Sequence, residues 1–357
     1  MVIIRTLLFL SLIVIVSTLQ AQQMPQFSMY IWNNYLINPA IGGAENSMDV
    51  KLGYRNQWVN LDGAPKTMYL TIHTQLGKKL QNDEDIDVKH SHANRKPQSS
   101  VQRFLRFNKI HTPKPPSSYK ERSHHGVGMQ VMNERIGPFN VNLLMGSYAY
   151  HLPLGNNTFA SLGAFVGVKN YGLNTSGMTG NNGADLSNDK AVSGTLSQFA
   201  PDGSLGGLIY GDKFYGGFAV NQIMNYKLDF SDVQAAVQGR LARHYNLYGG
   251  YRIALPNRDF SIVPSVMFRY LPNVKPSMDL NLKVNYMDII WFGFSYRHLD
   301  SGIGMVGLHF NNRWDIGYSY DFTTSELTKY NNGTHEFILG YRLVNKKGNS
   351  CKPSYIW

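Results

Sequence analysis

The sequence predicts an all-β fold, a transmembrane antiparallel outer-membrane β-barrel of about fourteen strands with an N-terminal plug-like segment. Three observations predict it. A secretory leader opens the chain. Apolar and polar residues alternate in short segments from Met48 onward. The composition, with 22 Tyr, 18 Phe, 34 Gly and 16% charged residues in 357, favours strands and tight turns over helices.

The leader comes first in the chain. Arg5 supplies a basic start, Leu7 to Val16 form an apolar run, and Leu19-Gln20-Ala21 resembles a signal-peptidase site, so residues 1–21 read as a removed signal peptide. The run is too short for a membrane anchor and is interrupted by Gln20, Gln22 and Gln23. No cysteine stands near the cleavage point to carry a lipid. The sole cysteine, Cys351, excludes an intramolecular disulfide framework. The mature chain holds no other apolar run of helical-span length, so strands must make any crossing. Export also argues against a nucleic-acid partner, despite a formal net charge of +11.

The alternation is clearest in residues 277–286. Met278, Leu280, Leu282, Val284 and Tyr286 share one face, while Asp279, Asn281, Lys283 and Asn285 share the other. Residues 314–322 repeat it, with Trp314, Ile316, Tyr318, Tyr320 and Phe322 opposite Asp315, Gly317, Ser319 and Asp321; so do residues 336–343. Tyr270, Tyr286, Trp291, Tyr296 and Trp314 fall near strand ends, where an aromatic girdle would meet lipid headgroups. A soluble sandwich has the same alternation but a different use for the two faces. Strands are expected at 48–58, 67–76, 126–135, 139–151, 158–171, 204–210, 214–221, 244–254, 260–270, 277–286, 289–296, 302–310, 314–322 and 334–343, with a bulge at Pro264.

Connections of one parity are short and those of the other are mostly long, including 172–203, 222–243 and 323–333. With both termini in the periplasm, the long loops face outward. The expected organisation is a periplasmic or plug segment at 22–47, a barrel at 48–343 and a C-terminal periplasmic tail at 344–357. One connection breaks the parity. Residues 77–125 form a basic insertion, with eleven Lys or Arg against five Asp or Glu between positions 78 and 122, and with Pro113, Pro115 and Pro116. It reads as a flexible insertion, either a solvated loop with no partner or a basic tether for periplasmic machinery or anionic outer-membrane lipid.

Nothing in the chain argues for catalysis, a cofactor or a metal. There is no P-loop, cysteine cluster or nucleophile elbow, and Ser295 and His298 lie on opposite strand faces. His90, His92, His111, His124 and His125 lack metal-site spacing, and adjacent His124 and His125 cannot share a face. The candidate lumen residues are Asp279, Lys283, Arg297, Asp315, Asp321, Glu336 and Arg342, which would form an internal salt-bridge network or line a passage. Residues 27–43 alternate poorly and carry an Asn38-Pro39 step, so they are expected to fold against or into the periplasmic mouth.

Several fragments, in order, carry a resemblance. They are Gln26-Phe27-Ser28-Met29-Tyr30, Asn38-Pro39-Ala40-Ile41-Gly42-Gly43, Tyr54-Arg55-Asn56-Gln57-Trp58, Gly63-Ala64-Pro65-Lys66-Thr67, Asn133-Glu134-Arg135-Ile136-Gly137-Pro138, Gly293-Phe294-Ser295-Tyr296-Arg297, Gly317-Tyr318-Ser319-Tyr320-Asp321 and His335-Glu336-Phe337-Ile338-Leu339-Gly340-Tyr341. Together they resemble the PorP/SprF family of type IX secretion proteins along essentially the whole mature chain. The resemblance implies a non-enzymatic outer-membrane barrel that helps export or anchor cargo bearing a C-terminal sorting domain, in some members gliding adhesins. It also implies contact with periplasmic and inner-membrane machinery. Within these fragments, Phe27, Tyr30, Asn38, Pro39, Arg55, Asn56 and Trp58 are the candidate plug or partner contacts. The insertion at 77–125 departs from the family's shorter connection. The alternative reading is a channel or transporter for small solutes.

Overall fold

The fold was obtained as a computed structural model, which describes residues 24–45, 47–76, 122–155, 157–174, 195–228, 239–256, 259–310 and 313–344. The expected signal peptide at 1–21, and almost all of the expected basic insertion at 77–125 and C-terminal tail at 344–357, fall outside them. Fourteen strands form the wall: β1 (Ser47–Asn56), β2 (Lys66–Gln75), β3 (His124–Ile136), β4 (Phe139–Gly155), β5 (Thr158–Asn174), β6 (Thr195–Tyr210), β7 (Phe214–Asn221), β8 (His244–Tyr251), β9 (Phe260–Tyr270), β10 (Ser277–Tyr286), β11 (Ile290–Arg297), β12 (Ser301–Phe310), β13 (Trp314–Thr323) and β14 (Thr334–Val344). A short piece, Ile253–Ala254, continues β8. Each strand pairs antiparallel with its sequence neighbours. The sheet closes where β1 pairs with β14, from Ser47 opposite Val344 to Asn56 opposite His335. Closure leaves no edge strand in the wall, each strand pairing with a neighbour on both sides over at least part of its length.

The two faces of this wall decide between sandwich and membrane barrel. In β10, Leu280 is 49% exposed while Asp279 and Lys283 are buried. In β13, Trp314, Ile316 and Tyr318 face outward and Asp315, Gly317, Ser319 and Asp321 face inward. A soluble protein buries its apolar face; here the apolar face is outside and the charged face inside, as lipid solvation demands. Tyr270, Tyr296 and Trp314 point out near strand ends. No helix among the described residues is long and apolar enough to cross a membrane.

Three expectations are corrected. Residues 195–203 are not loop but the first part of β6, which pairs with β5 from Asn174 opposite Thr195 to Phe159 opposite Tyr210. β7 pairs only with Leu205–Tyr210, and Ile223 N–H reaches the Gly203 carbonyl just beyond; among the described residues no strand pairs with that side of β6 at Pro201, so its missing donor is tolerated. Asp202 points inward and binds Lys169 at 2.7 Å. Pro264 causes no bulge: β9 keeps one register with β10 through Pro264 opposite Leu282. The interruption falls on its other neighbour, where the β8 ladder stops at Gly250 opposite Ser265 and resumes at Ile253 opposite Ile262 in the same register. Trp291 is not in a girdle. It faces inward and is fully buried, over the inward-facing Gly307 on the neighbouring strand.

Residues 24–45 lie against the inner face of the wall as a run of three short 3-10 turns (Met29–Ile31, Asn34–Leu36 and Pro39–Ile41) whose residues are buried. Its Met29, Tyr30, Ile31, Trp32, Tyr35, Leu36, Ala40 and Ile41 form one apolar cluster with wall residues that include Tyr69, Met145, Phe165, Met267, Trp291 and Ile338. Two wall glycines let it approach. A Cβ on Gly163 would stand 2.6 Å from Ala40 N, and one on Gly126 would collide with the Gly42 carbonyl. Gly163→Leu should therefore leave the wall ladder intact but cost about 1–3 kcal/mol, the range for overpacking. The check is the midpoint of heat-induced unfolding in detergent together with protease sensitivity of residues 24–45. An unchanged midpoint and unchanged cleavage would show that the segment does not press on β5.

Candidate functional site

The inner face of the wall and the N-terminal segment together make the site. At its centre Arg55, on β1, projects inward between β13 and β14. Its Nη2 donates to Asp321 Oδ2 at 2.9 Å, and its Nη1 donates to Glu336 Oε2 at 3.0 Å and to Ser28 Oγ at 2.7 Å. Ser28 completes the arrangement from the segment, donating its backbone N–H to Glu336 Oε2 at 2.7 Å and its hydroxyl to Asp321 Oδ2 at 2.5 Å. Tyr69 donates to the other Glu336 oxygen at 3.0 Å, and its ring packs edge-on to Phe27. All these groups are buried. Two carboxylates and one guanidinium leave an excess negative charge, which the donors of Ser28 and Tyr69 offset.

Further pairs line the same face. Asp279 binds Arg269 at 2.5 Å and Arg297 at 3.3 Å, and Arg297 also reaches Asp300. Asp315 binds Arg342 at 2.5 Å, with His309 Nδ1 at 2.6 Å. Lys51 pairs with Asp49 and Lys169 with Asp202. Lys283 is the exception: its ammonium sits 4.8 Å over the Trp291 ring, and Trp291 in turn packs edge-on to Trp32. The seven candidate lumen residues thus all face inward, and six of them form ion pairs with one another or with Arg55, Arg269 and Asp300.

The segment follows this wall step by step. Tyr30 OH accepts from Asn281 at 2.8 Å, with Arg269 over its ring. Asn33 donates to Thr71, and Tyr35 OH lies 2.5 Å from Ser147 Oγ. Asn38 caps the turn that begins at Pro39, accepting from Ala40 N–H while its amide nitrogen donates to the Gly207 carbonyl and Tyr248 OH. The His151 and His124 rings stack, with Nε2 of each against the carbonyl of Gly42 and Gly43 respectively. Among the described residues no group of three or more His, Cys, Asp or Glu is placed to hold a metal; His124 faces inward, whereas His125 is exposed.

Of the candidate contacts, Phe27, Tyr30, Asn38, Pro39 and Arg55 are buried on the inner side of the wall. Asn56 and Trp58 stand apart at the loop end of β1, where Trp58 donates its backbone N–H to Thr334 Oγ1. Sequence reasoning missed Ser28, Trp32 and Tyr35, which carry no periodic signal because 3-10 turns repeat at neither strand nor helix spacing. It also missed Arg269, although this residue shares inward parity with Met267 on β9.

Comparison with known proteins adds the family. The model of the type IX secretion system membrane protein PorP/SprF matches residues 19–341. The chain belongs to the PorP/SprF family. As a member with a closed barrel and an apolar outer face, it is an outer-membrane component of the type IX secretion system. No curated protein sequence matches it. Among solved structures it is similar to the toluene transporter TodX of P. putida, at 10% identity and a TM-score of 0.46, covering 87% of this chain and 94% of that one. It is also similar to the CymD monoaromatic hydrocarbon channel, at 10% identity and 0.44 over 89% and 92%. A third is the outer membrane protein Omp33 of Acinetobacter baumannii, at 9% identity and 0.41 over 85% and 99%.

Arg55→Met would leave Asp321 and Glu336 buried beside each other without their cation. The expected loss is about 3–5 kcal/mol, the cost of orphaning a buried charge, read from the thermal unfolding midpoint of the purified PorP/SprF barrel. Adding Glu336→Gln should restore part of it. A single variant as stable as the parent would mean that the carboxylates are hydrated rather than held by Arg55.

Proposed function

We propose that this PorP/SprF protein is a non-enzymatic docking component that helps export, or anchors at the surface, cargo bearing a C-terminal sorting domain. In this reading residues 24–45 act as a plug, and the basic stretch at 78–122 ties the barrel to periplasmic and inner-membrane parts of the machine. The observation that carries the reading is the family match over residues 19–341. The packed interior adds support, because a lumen occupied by the chain's own apolar cluster and ion pairs suits a protein that docks partners better than one that conducts solutes.

Removal of the gene provides the test. Sorting-domain proteins should disappear from the cell surface and accumulate inside, measured by surface proteomics against whole-cell fractions. Normal export of every such protein, together with altered uptake of a small solute, would overturn the secretion role and favour the channel reading. Deletion of residues 78–122 alone should leave a folded barrel that no longer co-purifies with periplasmic components. Unchanged co-purification would remove the tether.

A further inference from the structure

The order in which residues 24–45 meet the wall gives the segment a direction. The strand ends on the side of the short turns, near residues 211–213 and 287–289, lie with the start of β1 and belong to the periplasmic side by the turn-length rule. At that end Gly43 meets His124, the first residue of β3. Further up, Ala40 O accepts from Ser161 near the start of β5, and Asn33 meets Thr71 in the middle of β2. Ser28 meets Asp321 and Glu336, each two residues from the loop end of its strand, and the Phe27 carbonyl faces Arg297, the last residue of β11. Met24 donates its backbone N–H to His244 Nε2 at 3.2 Å, and His244 is the first residue of β8 on the loop side. Met24 also lines a small cleft with Tyr270, Leu271 and Lys275, at and beyond the loop end of β9.

We infer that the segment is threaded outward through the whole barrel, so that its leading end reaches the cell exterior at the loop-side mouth while its other end is anchored at the periplasmic rim by β1. This goes beyond the expected position at the periplasmic mouth. It rests on the assignment of the long loops to the exterior, and it deepens the plug reading by giving the plug two differently placed ends. The tail end, Gly42-Gly43, is within reach of the periplasm. The leading end can be grasped only from outside. Withdrawal into the periplasm must draw Met24 down the length of the lumen and break the bonds of Ser28 to Arg55, Asp321 and Glu336 on the way.

Single-cysteine variants of the full chain, in a Cys351→Ser background, test this in intact cells with a membrane-impermeant maleimide. Leu299→Cys, exposed in the β11–β12 turn, and Leu76→Cys, exposed just past β2, calibrate the two sides. Leu299→Cys should react directly and Leu76→Cys only after the outer membrane is permeabilised; the reverse would overturn the side assignment and the inference with it. With the calibration holding, Met24→Cys should react directly, like Leu299→Cys. Reaction only after permeabilisation would overturn the threading while leaving a role in secretion untouched. If Met24→Cys is too shielded to react in either state, a photo-reactive benzoylphenylalanine at position 24 of the purified full chain decides: adducts on Asn246, Tyr270 or Lys275, which line the same cleft, support the threading, and adducts confined to the short-turn ends of the strands overturn it.

Discussion

A barrel that gives lipid its apolar face is left with a charged face enclosed in its own lumen, and the neutralisation of that inner face is the constraint on which the rest of this structure depends. Buried charges must be paired and hydrogen-bonded or they oppose folding. Arg55 meets the constraint for Asp321 and Glu336 with help from Tyr69 of the wall and from Ser28, which is not part of the wall. The N-terminal segment is therefore not an accessory laid into a finished barrel. It supplies donors that the wall lacks.

The same segment supplies the apolar core. About half of the wall's side chains face inward, but a fourteen-stranded barrel is wider than the eight-stranded kind whose own side chains suffice to fill it. Trp32, Tyr35, Leu36 and Ile41 are buried in one cluster with the inward-facing Trp291, Phe165 and Met145. Gly126 and Gly163 open the wall to the segment's backbone where it runs closest. Closure of β1 on β14 then ties segment and wall together, since the segment runs into β1 at Ser47. One length of chain thus serves as core, as charge partner and as lead-in to the closing strand.

Much of the wall was legible in the sequence because a lipid-facing strand keeps strict period-2 alternation. In residues 277–286 and 314–322 each inward or outward side chain was read from parity alone, and the lumen charges followed. Reading failed where local residue type and context disagree. Pro201 and Asp202 look like a loop, yet the proline falls where, among the described residues, no strand needs its donor, and Lys169 pairs with the acid. Trp291 looks like a girdle residue near a strand end, yet its parity is inward and Gly307 gives it room. The path of residues 24–45 was hidden for a different reason. Its conformation is set by partners more than a hundred residues away, such as Asn281, Glu336 and His151, and no local pattern encodes them.

The most direct test is the electrical behaviour of the purified full chain in a planar lipid bilayer. A lumen filled by residues 24–45 predicts insertion without a steady ohmic current, the baseline staying closed over the voltage range in which empty barrels of similar strand number conduct. A stable open conductance from the intact, correctly folded protein would contradict the account, because it would place the segment outside the lumen.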